Sequence, residues 1–258
     1  MIGNADGASG RRGSRRGVWT IVGIFVLGGI FVGGLYFAAR RGVPEEYRAA
    51  TVGTPARTLR FVSMDLGYAR EKHHLVIDRI YKLNADFLLL QRVTRKDAYE
   101  LAMAMEMRHG GRVQMFYSLN DPATAEQPGN AVLAKWPLYQ GRTMAKGHPR
   151  QFGVFVESIV EGRRFLIGCW DLAVEPEAAA REASLMIEAW RRVGEPPLVI
   201  GGVQSGIAGP QVLPEGMQQI SEGAQAVWGT SQWTMRGVEE VVESSHPEAL
   251  IAVDVGGR

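Results

Sequence analysis

Few side chains in this 258-residue sequence have the type and spacing to do chemistry. Two acids stand out, Asp65 and Asp171. Each closes an apolar run that reads as a strand, and Arg92 closes a third. Two carboxylates on such strand ends could hold a cation through oxygen ligands. Where the fold brings these strand ends together, the expectation is instead an ion pair between Asp65 and Arg92, because a buried charge needs a partner. His73-His74 opens a helix, where adjacent residues do not share a face, so the doublet reads as solvated surface and not as a metal pair. Cys169 falls on a core strand with no activating base nearby in sequence, where a free thiol is a small hydrophobe. Arg163-Arg164 and Arg191-Arg192 read as hairpin-tip and helix-end charges. The lone cysteine excludes an intramolecular disulfide.

The charge balance is nearly neutral, 29 Lys and Arg against 27 Asp and Glu, but it is unevenly distributed. Arg11, Arg12, Arg15, Arg16, Arg40 and Arg41 flank one uncharged stretch, and Asp6 is the only acid before position 42. Residues 42–258 therefore carry a slight negative excess, which argues against a domain built to grip a phosphate backbone, so nucleic acid is not an expected partner.

The uncharged stretch is residues 17–39. As a helix at about 1.5 Å per residue it reaches roughly 34 Å, enough for a hydrocarbon core of about 30 Å. Trp19 and Tyr36 stand near its ends, where amphipathic rings favour the interface. It is too long for the apolar region of a cleaved signal, and Tyr36-Phe37-Ala38-Ala39-Arg40 is a poor cleavage site, so the expectation is an uncleaved transmembrane anchor. The four arginines of the 1–16 stub place the N-terminus in the cytoplasm. The soluble domain then lies on the non-cytoplasmic side of the cell membrane. Gly29 and Gly33 form a Gly-x-x-x-Gly pair that would allow a weak homodimer through this helix.

The elements that must position the candidate residues follow a 40–56 linker. Apolar runs predict strands over 59–64, 87–91, 130–134, 165–171, 198–201 and 249–254, with Gly153–Val160 and Phe165–Leu172 forming a hairpin that turns at Glu161-Gly162-Arg163-Arg164. Apolar positions repeating at three and four residues predict helices over 72–83 and 177–193, and a further helix over Ala98–Met107. Trp136-Pro137-Leu138 reads as a turn, and Val238–Val242 as a strand. Residues 203–236, rich in Gly and Gln, carry no clear periodicity. Strands and helices mixed in this way predict an α/β domain over 57–258: a four-layer sandwich of two packed sheets flanked by helices, preceded by the one transmembrane helix.

The order of these segments resembles the endonuclease/exonuclease/phosphatase superfamily, the deoxyribonuclease-like sandwich. Asn84–Val93 (NADFLLLQRV) is similar to that family's strand ending in "L-Q-E-V", and Gly129–Leu138 (GNAVLAKWPL) to its "G-N-A-I-L-S-x-x-P-L". Leu59–Leu66 stands for the first strand, Phe165–Leu172 for "N-T-H-L", Val199–Ser205 for "G-D-F-N-S" and Ser244–Pro247 for "S-D-H-R/P". Six matches in the right order imply the fold. The resemblance also implies a divalent metal that polarises a phosphoester, with a His and an Asp/Asn pair assisting.

Carried over residue by residue, however, the metal-holding asparagine becomes Asp65 and the metal glutamate Arg92. The histidine of "T-H-L" becomes Asp171, the Asp and Asn of "G-D-F-N" become Gly202 and Gln204, and the Asp of "S-D-H" becomes Ser245. His246 alone persists, and without its acid it reads as a hydrogen-bonded relic. A guanidinium offers only donors, and at ~4 Å in an effective dielectric near 20 it repels a doubly charged ion by about 8 kcal/mol. The expectation is therefore a remnant pocket of Asp65, Arg92, Asp171, Gln204 and His246 with no metal or other cofactor. It belongs to a catalytically inactive module that binds or scaffolds a protein or small-ligand partner. The alternative is a divergent Mg- or Mn-dependent phosphodiesterase or nuclease drawing ligands from Asp65, Asp171, Glu239 or Glu240.

Overall fold

The computed structural model describes residues 44–67, 73–119, 128–144, 152–203, 217–219, 225–240 and 250–257. The 1–16 stub and the hydrophobic segment 17–39 lie outside the described residues. Among those described, no helix is long and apolar enough to cross a membrane. The chain divides into two units, Met1–Arg48 and Ala49–Arg258. The described end of the first falls in helix α1 (Glu45–Ala49), whose first turn carries two acids and whose last carries Arg48, a sign pattern that suits the helix dipole.

The second unit is built on two sheets. One runs in the order β10 (Met217–Gln219), β11 (Gln225–Thr230), β9 (Leu198–Val203), β8 (Arg163–Asp171), β7 (Gly153–Val160), β6 (Leu138–Met144), with the two-residue β1 (Thr51–Val52) paired to the start of β8. The other runs β12 (Trp233–Glu240), β13 (Leu250–Gly257), β2 (Leu59–Asp65), β3 (Phe87–Val93), β5 (Gly129–Ala134), β4 (Gln114–Leu119). Helices α2 (His73–Leu83) and α3 (Arg95–His109) belong with the second sheet, and α4 (Pro176–Arg192) with the first.

Strand alternation explains the layers. On β3, Phe87 and Leu89 enter the core between the sheets, while Leu88, Leu90 and Val93 pack with Val76, Ile80 and Leu101 of the helices. On β8, Phe165, Ile167 and Cys169 point between the sheets, while Leu166 and Trp170 meet Ala183, Met186 and Trp190 of α4. Residues one apart thus serve opposite faces, as the two-residue strand period requires. The central layer is tied by rings: Phe61 stacks on Phe87 at 4.8 Å, and Phe165 meets Trp233 edge-on at 5.1 Å. Each fully buried side chain of this size contributes about 1.5–3 kcal/mol.

Two pairs of parallel strands matter for function. β2 and β3 run side by side with Asp65 opposite Gln91, and β8 and β9 with Asp171 opposite Val203. Their carboxyl ends define one end of the sandwich, here called the top. Their amino ends define the base.

Two packed sheets with flanking helices agree with the expected architecture, and the differences are local. The helix expected at Ala98–Met107 runs Arg95–His109, because Thr94 caps it by accepting from the Asp97 amide at 3.1 Å, and Gly110, at φ 66°, ends it. β4 was not anticipated, although Phe116 faces the central layer while Met115 and Tyr117 face α3 and its layer. β6 extends the supposed turn Trp136-Pro137-Leu138 into an edge strand, and β12 begins at Trp233, inside the stretch without periodicity.

Candidate functional site

Arg92 owes its position to a break in the β3–β5 ladder. Pairing shifts between Leu90 and Val93, and Arg92 takes φ 52°, a left-handed conformation that costs a non-glycine residue about 1–2 kcal/mol. The bulge re-aims the side chain toward the top end of β2. There Arg92 Nε donates to Asp65 Oδ1 at 2.6 Å, and a second guanidinium nitrogen donates to Asp65 Oδ2. Asp65 Oδ1 also accepts the Gly67 amide at 3.0 Å. The carboxylate, 11% exposed, is thus engaged on both oxygens in a two-pronged charge-assisted pair, while the arginine side chain keeps 34% exposure.

Beneath this pair lies a buried polar bridge between the sheets. Gln91 Nε2 lies within hydrogen-bonding reach of Ser63 Oγ at 3.3 Å, Cys169 Sγ at 3.1 Å and the Gly201 carbonyl at 3.4 Å. Cys169 in turn donates to the Leu90 carbonyl at 3.2 Å. Gly201 makes the close approach possible: a Cβ there would stand 2.6 Å from Leu89 Cδ1 and 2.7 Å from Ser63 Oγ. Sequence reasoning missed the roles of Gln91 and Ser63. The signal was present, since Gln91 is polar and in phase with Phe87 and Leu89, which face the central layer.

Asp171 is buried at the top end of β8, where its amide donates to the Phe152 carbonyl at 2.8 Å. Burial pushes the Cys169 thiol far above its ordinary pKa. The Gln91 amide opposes that rise, while the charges of Asp171 and Asp65 add to it. The structure therefore brings Asp65, Arg92 and Asp171 to the same end. Gln204 and His246 lie outside the described residues, as do the side chains of Glu239 and Glu240.

Cys169 yields a first expected result. Its pKa is raised in the folded protein, so above about pH 9 the unfolded chain loses the thiol proton while the native one keeps it. The unfolded state then binds fewer protons, and stability falls by roughly 1.4 kcal/mol per pH unit. Urea melts between pH 8 and 11 should show this slope in the native sequence and a shallower one in Cys169→Ala. Equal slopes would show that the thiol ionises in place.

The position that the resemblance equates with a water-orienting aspartate is Gly202. A Cβ there would lie 1.9 Å from Trp170 Cδ1 and 2.3 Å from the Trp170 carbonyl oxygen. Trp170 therefore occupies the space a side chain at 202 would need. Its ring is fixed in the α4 layer, 5.0 Å from Trp228.

Arg92 and Gly202 offer a divalent cation no ligand. Arg92 presents only N–H groups and already binds Asp65, Gly202 offers nothing, and among the described residues no three His, Cys, Asp or Glu side chains gather closely enough to hold a metal.

Similarity to known proteins is visible in structure alone. No protein-family model matches the sequence, and no curated protein does. An endonuclease/exonuclease/phosphatase from Bacteroides vulgatus superimposes with a TM-score of 0.64, covering 78% of this chain and 100% of its own, at 13% identity. The human Nocturnin catalytic domain, with a bound sulfate anion, gives 0.64 over 84% and 100% at 14% identity. Truncated Caenorhabditis elegans TDP2 gives 0.58 over 79% and 100% at 12% identity. The chain has the endonuclease/exonuclease/phosphatase fold. At these identities the likeness is one of fold, so what the domain does must be argued from its own residues.

Proposed function

We propose that this chain is a membrane-anchored domain of the endonuclease/exonuclease/phosphatase fold that has given up metal-dependent hydrolysis and serves as a binding or scaffolding module. The observation that carries the reading is the pair between Arg92 and Asp65, which puts a fixed cation, already satisfied, at the position the resemblance assigns to the metal glutamate. Trp170 packed over Gly202 supports it, because the backbone leaves no room for a carboxylate there. The charge-free 17–39 segment supports the anchor, with the domain on the non-cytoplasmic side. The binding partner, on this reading, is a protein or a small ligand and not nucleic acid.

The test is turnover. The full chain in detergent, given bis(p-nitrophenyl) phosphate with Mg²⁺ or Mn²⁺, should hydrolyse it no faster than buffer. Turnover that disappears in Asp171→Asn would overturn the reading and make the protein a divergent metal-dependent phosphodiesterase. For the anchor, proteolysis of intact cells should digest the domain and spare the stub, whereas a mature N-terminus beyond Ala39 would show a cleaved signal.

A further inference from the structure

We infer that the base of the sandwich, with the outer face of α3, is a docking surface for an anionic phospholipid bilayer. Helix α3 carries apolar side chains on two sides. Its buried side supplies Ala98, Leu101 and Met105 to the core, yet its outer side is also apolar: Tyr99, Met103 and Met107, four residues apart, are 59%, 47% and 71% exposed. Residues at this spacing form one stripe along a helix. The stripe descends toward the base, where the exposed Tyr81 of α2 lies under the Arg108 guanidinium at 4.9 Å. Large apolar side chains aligned on a solvent face mark an interaction surface.

Three links fix this end as the base. Arg60 Nη1 donates to the Leu83 carbonyl at the close of α2, and Lys135 Nζ donates to the Asn84 carbonyl at 3.1 Å. Burial, then the charge of Lys135, lowers the pKa of His109 at the close of α3, which places those groups together.

Charge selects the occupant. Arg57, Lys82 and Arg108 are exposed at this end, and Lys135 is half-buried between them. Burial lowers the pKa of Lys135, Asp86 opposes that, and the charges of Arg57 and Arg108 lower it further, so the two arginines lie close enough to Lys135 to act together with it. Two acids stand there as well, and one of them, Asp86, is paired to Lys135. Asp86 accepts the Arg60 amide at 2.9 Å and lies 3.7 Å from Lys135 Nζ, and Glu161 accepts the Arg57 amide at 3.4 Å. Exposed Tyr and Met beside the exposed Arg57, Lys82 and Arg108 is the pattern that seats a surface on anionic headgroups.

The route of the chain agrees. Residues 51–57 enter the unit at this end, where the Thr51 amide donates to the Gly162 carbonyl at 2.9 Å beside the start of β8. The top, with Asp65 and Arg92, is the opposite end and would face away from the lipid. The inference rests on the anchored reading only for the supply of a bilayer close by.

A nitroxide placed through Met107→Cys, with Val174→Cys at the top as its control, reads the contact. Val174 is 66% exposed, and Cys169 is buried, so each label goes to one site. The full chain is reconstituted in nanodiscs of phosphatidylcholine alone or with phosphatidylglycerol. On anionic discs, position 107 should lose accessibility to an aqueous nickel relaxant several-fold and gain contact with dissolved oxygen, while 174 stays exposed. High salt, or Arg57→Glu with Arg108→Glu, should reverse the protection. Equal accessibility at 107 and 174 on both discs overturns the inference. So does protection that persists on neutral lipid, or dipolar coupling between labels, which would assign the face to a second copy of the chain. A chain that fails to enter the discs refutes the anchor instead. Docking is then read by the same labels on anionic vesicles, where equal accessibility at the two sites overturns it as well.

Discussion

Replacing Arg92 with alanine is expected to lower the unfolding free energy by about 2–3 kcal/mol. That is below the ~3–5 kcal/mol of a fully buried pair, because the guanidinium keeps access to solvent. For a unit of this size the melting temperature should fall by about 4–12 °C. The loss comes from Asp65, which, nearly buried, would be left with the Gly67 amide in place of the two-pronged arginine contact. The cost of the left-handed backbone, which Arg92 already bears, is unchanged in alanine. Arg92→Gly separates the two. It loses the same pair but adopts φ 52° freely, so it should be about 1 kcal/mol less harmful than alanine. If alanine at 92 is thermally silent, the contact is a solvated surface pair and the account of the site fails.

Gly202→Ala is expected to cost about 3 kcal/mol or more, at the upper end of overpacking effects. Its added carbon would overlap both the Trp170 ring and the Trp170 carbonyl oxygen. Gly202→Asp, which restores the carboxylate that the resemblance leads one to expect, should be worse and should not confer metal binding. Trimming the indole with Trp170→Ala should rescue neither variant fully, because the backbone contact requires β8 or β9 to move. Chemical denaturation of each variant measures this. A Gly202→Asp protein as stable as the native one would show that β9 yields easily and that Trp170 does not enforce the glycine.

The legible part of this molecule was its skeleton. Apolar runs such as Phe87–Leu90 and Leu198–Ile200 signalled buried strands because both of their faces are covered, and α4 declared itself through Met186, Trp190 and their neighbours. The ion pair between Asp65 and Arg92 was legible once the resemblance put both in one pocket, because a buried charge needs a partner. The bulge that makes it two-pronged was not, since nothing in Gln91-Arg92-Val93 marks a register shift.

Gln91 was hidden for a different reason. Its importance comes from Ser63, Cys169 and Gly201, which lie 28, 78 and 110 residues away in sequence and meet only when the sheets pack. Gly202 could be read as a lost carboxylate, but that Trp170 fills the space depends on strand register, which periodicity does not supply. On α3 the helix was legible but its buried side was not. Its apolar residues surround the axis, Ala98 and Leu101 inward and Tyr99 and Met103 outward, so the sequence does not mark which side faces the core.

The central claim is that Arg92 stands where a metal would otherwise be held, and titration calorimetry with Mg²⁺ and Mn²⁺ tests it most directly. The native chain should take up neither ion at millimolar concentration and should melt at the same temperature with or without them. Arg92→Glu should be destabilised in the absence of metal, by repulsion of Asp65, and should recover part of that loss when Mn²⁺ is added. A native protein that binds and is stabilised by millimolar Mg²⁺ would contradict the claim and place the metal-dependent phosphodiesterase first.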